Sequence, residues 1–195
     1  PELKAATERG AKIMPRAEAL AFVMEGKRSV AVAGTHGKTT TTSMLTVALQ
    51  RAGFDPSFAI GGMINNAGTN AHLGSGDAFV AEADESDGSF LVYKPFGGII
   101  TNLELDHVDH FTSLEILVDA FKAFVATIQA GGFLVACGDD NNVKELLAGT
   151  RRSDIEIITY GENIENDYQI SRIHLEEVSS EARITRKGKV LGELR

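Results

Sequence analysis

The sequence predicts an α/β fold: a mostly parallel sheet flanked by helices, with antiparallel edge strands near the C-terminus. Three observations carry this. From Ser29 onward, short apolar runs alternate with amphipathic stretches, the pattern of successive βαβ units. The first run, "VAVAG", passes into a glycine turn with Lys38-Thr39 at a helix start, which makes the sheet P-loop-type. After Gly161 the texture becomes apolar-polar alternation, in "DYQISRIHL" and "EARITRKGKVLGELR", the spacing of antiparallel strands.

Taken in order, residues 1–28 are helix-rich: "RAEALAFVMEGK" sets Ala17, Leu20, Ala21 and Met24 on one face before Gly26 ends it. Strands are expected at 29–33, 77–82, 98–101, 132–136 and 155–159. The clearest helix spans Ser113 to Gln129, where Leu114, Leu117, Val118, Phe121, Phe124, Val125 and Ile128 recur every three or four residues and Gly131-Gly132 stops it. "GGMINNAGTNAHLGSGD" has few apolar anchors and reads as a polar loop, either a plain surface loop or one that contacts substrate. A turn is expected at Lys187-Gly188. The chain starts in a helical pattern and stops at Arg195 in a strand pattern, as a piece of a longer protein would.

With 195 residues, 43% of them apolar and 24% charged, there is material for one well-buried core and a small appendage. A net charge of −8 argues against a broad nucleic-acid surface, which depends on clustered Lys and Arg. It leaves room for a nucleotide, since one lysine, a metal and a row of backbone N–H groups suffice for a phosphate. No apolar run approaches the roughly 18 residues of a membrane span, and the N-terminus lacks a secretory pattern. The single cysteine, Cys137, excludes an internal disulfide and fits a reducing, cytoplasmic setting.

The loop "GTHGKTTTT" gives the chemistry its centre. Gly34 and Gly37 permit a tight turn, and the N–H groups of the loop (Gly34, Thr35, His36, Gly37) and of the first helical turn (Lys38, Thr39, Thr40) have no backbone acceptors, so they converge on an anion. Lys38 is placed to reach the β and γ phosphates of a bound nucleotide, and the Thr39 hydroxyl to ligate the accompanying Mg²⁺. Threonine is a poor helix former, and four in succession are explained if their hydroxyls serve N–H groups, phosphate or metal. The spacing departs from the general G-x-x-x-x-G-K-[ST], because Val32 stands where the first glycine would be.

Two further strand ends carry polar clusters. In "FVAEADESDGSF" the strand delivers Glu82, with Asp84, Glu85 and Asp87 just beyond. Four acids so close repel one another and need a compensating cation, protein partners or full solvation. A bound Mg²⁺ supplies the first; a solvated acidic loop is the plainer alternative, weakened because Glu82 lies inside an apolar strand. In "GGIITNLELDHVDHF" an apolar strand runs into Asn102, Glu104, Asp106, His107, Asp109 and His110. Zinc is the competing reading there, but the cysteine is remote and no helical His pair is present. Ligands of open α/β sheets bind at the carboxyl ends of the strands, where all three clusters fall.

These segments, "GTHGKTTTTSM", "EADESDGSFL" and "TNLELDHVDHF", resemble in sequence and order the central ATP-binding domain of the Mur ligase family, and the likeness covers most of residues 29 to 160. The resemblance implies that residues 1–28 are the tail of an N-terminal UDP-binding domain and 29–195 a truncated central domain, with the C-terminal amino-acid-binding domain absent. It implies catalytic roles for Lys38, Glu82 and His107, with Thr39 and Glu82 on one Mg²⁺ and His107 at a second metal. The reaction implied is transfer of the γ-phosphoryl group of ATP to the lactyl carboxylate of UDP-N-acetylmuramate, then attack of L-alanine on the acyl phosphate, in peptidoglycan precursor synthesis. The chain alone is expected to lack that activity. Several relatives carry a carbamylated lysine beyond the motif histidine. Lys122 sits on the Ser113–Gln129 helix, but its spacing also suits a solvent-facing residue, and the alanine-adding branch is not expected to need the modification, so no role is given to it. The alternatives are a recycling ligase that adds an intact tripeptide, a folylpolyglutamate synthetase-like ligase, and a non-catalytic nucleotide-binding module.

Overall fold

Ten strands form one sheet in the computed structural model, which describes residues 2–64, 68–85, 88–105 and 111–195. The strands are β1 (Arg28–Ala33), β2 (Ser57–Ile64), β3 (Thr69–His72), β4 (Ala78–Glu82), β5 (Gly97–Ile100), β6 (Phe133–Cys137), β7 (Glu156–Gly161), β8 (Tyr168–Leu175), β9 (Ser180–Arg186) and β10 (Lys189–Leu194). The helices are α1 (Glu2–Glu8), α2 (Arg16–Met24), α3 (Lys38–Arg51), α4 (Leu114–Thr127) and α5 (Asn141–Gly149). In space the strands run β10-β9-β8-β7-β6-β5-β1-β4-β2-β3. The block from β8 to β2 is joined by parallel pairings, whereas β8-β9-β10 and β2-β3 pair antiparallel at the two margins.

The parallel block is apolar on both faces because helices cover both. Ala31 and Ala33 of β1, with Phe79 and Ala81 of β4, join the large core under α2, α4 and α5. On the other face Phe58, Ile60 and Val80 pack with Leu45, Val47 and Leu49 of α3. The alternation of successive residues between two faces is the strand period of two. The sequence reading places α4 well: Ser113 is its N-cap, and Leu117, Val118, Phe121, Phe124 and Val125 are its buried stripe. Asp140 caps α5, its Oδ1 accepting from the N–H groups of Asn142 and Val143, both at 2.9 Å. The turn at Lys187-Gly188 is present, with φ of 48° and 78°.

One expectation is corrected. The segment read as a polar loop from Gly61 to Asp77 contains the end of β2 and all of β3. Pattern alone misses this edge because glycine has little strand tendency. The strand exists because Ser57, Phe58 and Ala59 pair in parallel with Phe79, Val80 and Ala81. No helix among the described residues is long and apolar enough to cross a membrane.

Candidate nucleotide site

Three of the parallel strands, β1, β4 and β5, deliver their carboxyl ends side by side. The chain leaves β1 at Gly34, whose φ of 136° is open only to glycine, and a methyl group built there would run into the Thr101 hydroxyl. At Gly37 the backbone is left-handed (φ 81°) and α3 begins. With no side chain at this N-cap, the first N–H groups of α3 face outward uncapped, which is the physical basis of an anion site.

The segment leaving β5 braces this loop. Thr35 N–H donates to the Asn102 carbonyl (3.2 Å) and Thr101 N–H to the Ala33 carbonyl (3.1 Å), which extends the strand pairing beyond the sheet. The Thr35 hydroxyl donates to the Glu104 carbonyl (3.0 Å) and accepts from the Glu104 N–H (2.9 Å). Asn102 closes the far side, its Oδ1 accepting from His36 N–H (2.8 Å) and its amide donating to the His36 carbonyl (3.1 Å). The His36 ring is exposed, 3.7 Å from the Glu104 carboxylate. The N–H groups of Thr35 and His36, expected from the sequence to face an anion, are instead taken up by Asn102, because the segment leaving β5 continues the strand pairing along the loop. Thr35 is a strut through its side chain as well, and Thr101 and Asn102 hold the loop's shape.

Thr39 and Glu82 meet at the mouth. The Thr39 hydroxyl lies 2.9 and 3.0 Å from the two Glu82 oxygens, and Gly61 N–H donates to Glu82 Oε2 (2.7 Å). Here the glycines of β2 acquire their reason: a Cβ on Gly61 would press on the Glu82 carboxylate at 3.0 Å, and one on Gly62 would meet the Thr39 methyl at 2.9 Å. A cavity of about 340 Å³ is lined by Thr35, His36, Gly37, Lys38, Thr39, Thr40 and Glu82. A second, of about 250 Å³, lies against the other side of Glu82 and is lined among others by Arg16, Asn70 and Asp84. Hydroxyl and carboxylate are hard oxygen donors of the kind Mg²⁺ prefers, and they are already gathered on one spot.

Lys38 differs from the expectation. Its ammonium turns inward, donating to the Gly34 carbonyl (2.7 Å), the Thr35 carbonyl (3.3 Å) and Glu85 Oε1 (3.0 Å). Glu85 is 1% exposed, and burial pushes its carboxyl above the usual range against the opposing pull of the Lys38 hydrogen bond. The sequence reading saw Glu85 only as one of four clustered acids; the signal available was its place three residues after Glu82, followed by a glycine. That glycine, Gly88, returns its N–H to the Glu85 carbonyl (3.0 Å), and the ensuing 3-10 turn Ser89–Val92 is anchored by Phe90 against Phe121 and Phe124.

His107 and its neighbours Asp106, Asp109 and His110, and also Asp87, lie outside the described residues. Lys122 is remote, half-exposed and paired with Asp119 at 2.9 Å on its own helix. Among the described residues no group of three or more His, Cys, Asp or Glu is arranged to hold a metal. Lys38, Thr39 and Glu82 thus share one pocket, with protein atoms supplying two candidate metal ligands.

The model of the Mur ligase middle domain matches residues 32–193. In sequence the chain is similar to UDP-N-acetylmuramate--L-alanine ligase of Acidothermus cellulolyticus, 50% identical over 194 residues, which cover 100% of the chain and 41% of that enzyme. Among solved structures it resembles the UDP-N-acetylmuramate:L-alanyl-gamma-D-glutamyl-meso-diaminopimelate ligase of Neisseria meningitides, with TM-score 0.82 and 28% identity over 98% of the chain and 62% of that protein. It also resembles the UDP-N-acetylmuramate-alanine ligase of Thermotoga maritima, with TM-score 0.79 and 27% identity over 100% of the chain and 43% of that protein. The chain therefore spans 41% of the length of the curated relative.

Proposed function

The chain belongs to the Mur ligase family, and from that premise we propose that it is the ATP-binding part of a ligase joining L-alanine to UDP-N-acetylmuramate. In this reading residues 1–28 are the tail of a preceding UDP-binding domain and residues 29–195 the central domain. The identity of 50% with an alanine ligase over the whole of the chain favours single-alanine addition.

One observation carries the reading: the Thr39 hydroxyl sits against both Glu82 oxygens at the opening of the glycine loop, beside Lys38. A carboxylate is a poor acyl donor until one of its oxygens leaves as phosphate. The γ-phosphoryl group passes to the lactyl carboxylate, ADP departs, and the alanine amine then attacks the acyl carbon, expelling phosphate and losing a proton. The chain's task is to position two anions and oppose their repulsion. The uncapped N–H groups at the start of α3 and Lys38 hold the triphosphate, while Thr39 and Glu82 would hold Mg²⁺, which when bound screens the charge between the reactants. The second cavity, across Glu82 from the loop and bordered by Arg16, suits the acceptor carboxylate. His107 is assigned to a second metal by family pattern.

Calorimetry with the 195-residue chain tests the reading. Binding of ATP is expected with Mg²⁺, to weaken sharply on chelation, and to fall at least tenfold in Thr39→Val, which leaves Lys38 and Glu85 in place. Metal-independent binding, unchanged in Thr39→Val, is the outcome that rejects it in favour of a non-catalytic module.

A further inference from the structure

An ammonium group has three N–H donors. All three of Lys38's are in use: on the Gly34 carbonyl at 2.7 Å, the Thr35 carbonyl at 3.3 Å and Glu85 Oε1 at 3.0 Å. A phosphate oxygen can reach Lys38 Nζ only by taking over one of these positions. The two carbonyls belong to the loop itself and are held by its bracing to Thr101, Asn102 and Glu104. Glu85 is the remaining partner and the only anion of the three. It does not line the loop cavity; it stands behind the lysine, 1% exposed, and its Oε2 has no hydrogen-bond partner among the described residues.

We propose that Glu85 is a positioning residue for Lys38: a built-in anion that occupies the ammonium in the empty loop and is displaced from it by an incoming polyphosphate. The inference rests on the loop being a polyphosphate site. It supplies what that site otherwise lacks, a reason for a buried carboxylate aimed at the lysine rather than at the ligand. The ion pair keeps Lys38 folded inward while the site is empty. Ligands must then repay its loss through the other contacts along the loop, which a chain of phosphates can make and a single anion makes poorly.

The test is a double-mutant cycle on the 195-residue chain, read as affinity for magnesium tripolyphosphate by calorimetry. Glu85→Gln keeps the shape and removes the charge, so tripolyphosphate is expected to bind about tenfold tighter. In the Lys38→Met background the same substitution is expected to change nothing. A gain that persists without Lys38 means general repulsion and overturns the proposal, as does no gain, or a loss, in the Lys38 background. Glu85→Asp, expected to give a smaller gain, serves if Glu85→Gln fails to fold by circular dichroism. A second measurement is independent of variants: the carboxyl ¹³C resonance of Glu85 in the wild-type chain should move on saturation with tripolyphosphate, and a resonance that stays put rejects displacement. Absence of any tripolyphosphate binding in both wild type and Glu85→Gln rejects the phosphate reading of the loop itself, whereas binding without a gain rejects the role of Glu85 alone.

Discussion

Lys38 and Glu85 form a buried pair, 12% and 1% exposed in their side chains, and the consequence for mutagenesis is direct. Removing one member of such a pair strands the other charge, at a cost of about 3–5 kcal/mol, while removing both is far cheaper. Lys38→Met is therefore expected to lower the melting temperature by roughly 10 °C, at about 2–4 °C per kcal/mol for a chain of this size. Adding Glu85→Gln should restore most of that without restoring phosphate binding, and thermal melts of the three variants check it; a double variant no more stable than Lys38→Met is the contrary result. A loss of activity in Lys38→Ala alone would mix lost ligand contact with lost fold. Gly34 is sensitive for a different reason. Its φ of 136° and the Thr101 hydroxyl beside it leave no room for a methyl group, so Gly34→Ala is expected to cost at least about 1–3 kcal/mol. Because Thr101 also donates to the His36 carbonyl at 2.6 Å, the damage should spread to the loop and weaken polyphosphate binding. Melting and calorimetry on the same sample measure both effects.

At the scale of the element, α3 shows how one residue type serves separate ends within two turns. Thr39 faces Glu82 at the loop mouth and Thr40 is exposed, whereas Thr42 and Thr46 are fully buried. The buried hydroxyls are satisfied within the helix, Thr42 donating to the Lys38 carbonyl (2.7 Å) and Thr46 to the Thr42 carbonyl (2.8 Å). The sequence reading gave the threonine hydroxyls of the first turn to N–H groups, phosphate or metal; past that turn Thr42 and Thr46 are buried, with short side chains that let the helix lie close to the sheet. Thr46→Val is accordingly expected to stay within about 1 kcal/mol of wild type and to leave Mg²⁺-dependent binding intact. Thr39→Val should do the reverse, keeping the melting temperature and losing the metal dependence. If Thr46→Val abolished binding, the division of labour along α3 would be wrong. What the sequence makes legible follows from the same logic. Strong periodicity identified α4, and apolar runs identified the five inner parallel strands, because burial of those elements dictates residue type. The β2–β3 margin was missed because its glycines answer to two side chains distant in sequence, Glu82 and Thr39. Glu85 was seen but not understood, since its meaning lies in one contact spanning 47 residues.

Over the whole molecule, five carboxyl groups with shifted titration act on stability in opposite directions: Glu85 is raised, whereas Asp55, Glu115, Asp139 and Asp154 are lowered. Burial raises Glu85 above its ordinary 4.5, so the folded chain holds this proton more tightly than the unfolded chain does. Its contribution is complete below that ordinary value and is lost as pH climbs through the raised, folded one. Asp154 is lowered from 3.8 by its hydrogen bond with Arg152, the guanidinium that also donates to the Val125, Ala126 and Ile128 carbonyls at the end of α4. Asp139 is lowered as well: burial pushes it up, but the N–H groups of Glu162 and Asn163 and the Asn166 amide outweigh that. For both aspartates the stability is present above 3.8 and disappears as pH falls through the depressed folded values. Together these groups contribute most where the two windows meet, above 3.8 and below the raised Glu85 value, and their contribution declines on either side. Glu85→Gln is expected to flatten the decline toward neutral pH and leave the acid limb untouched, whereas Asp154→Asn should remove part of the acid limb and leave the neutral one. Thermal melts across the range from pH 3 to pH 8 separate them, because each variant removes the proton linkage of one group while the other groups titrate as before. An unchanged neutral limb in Glu85→Gln would mean that the Lys38 hydrogen bond fully offsets the burial of the Glu85 carboxyl, and the raised titration of this group would have to be abandoned.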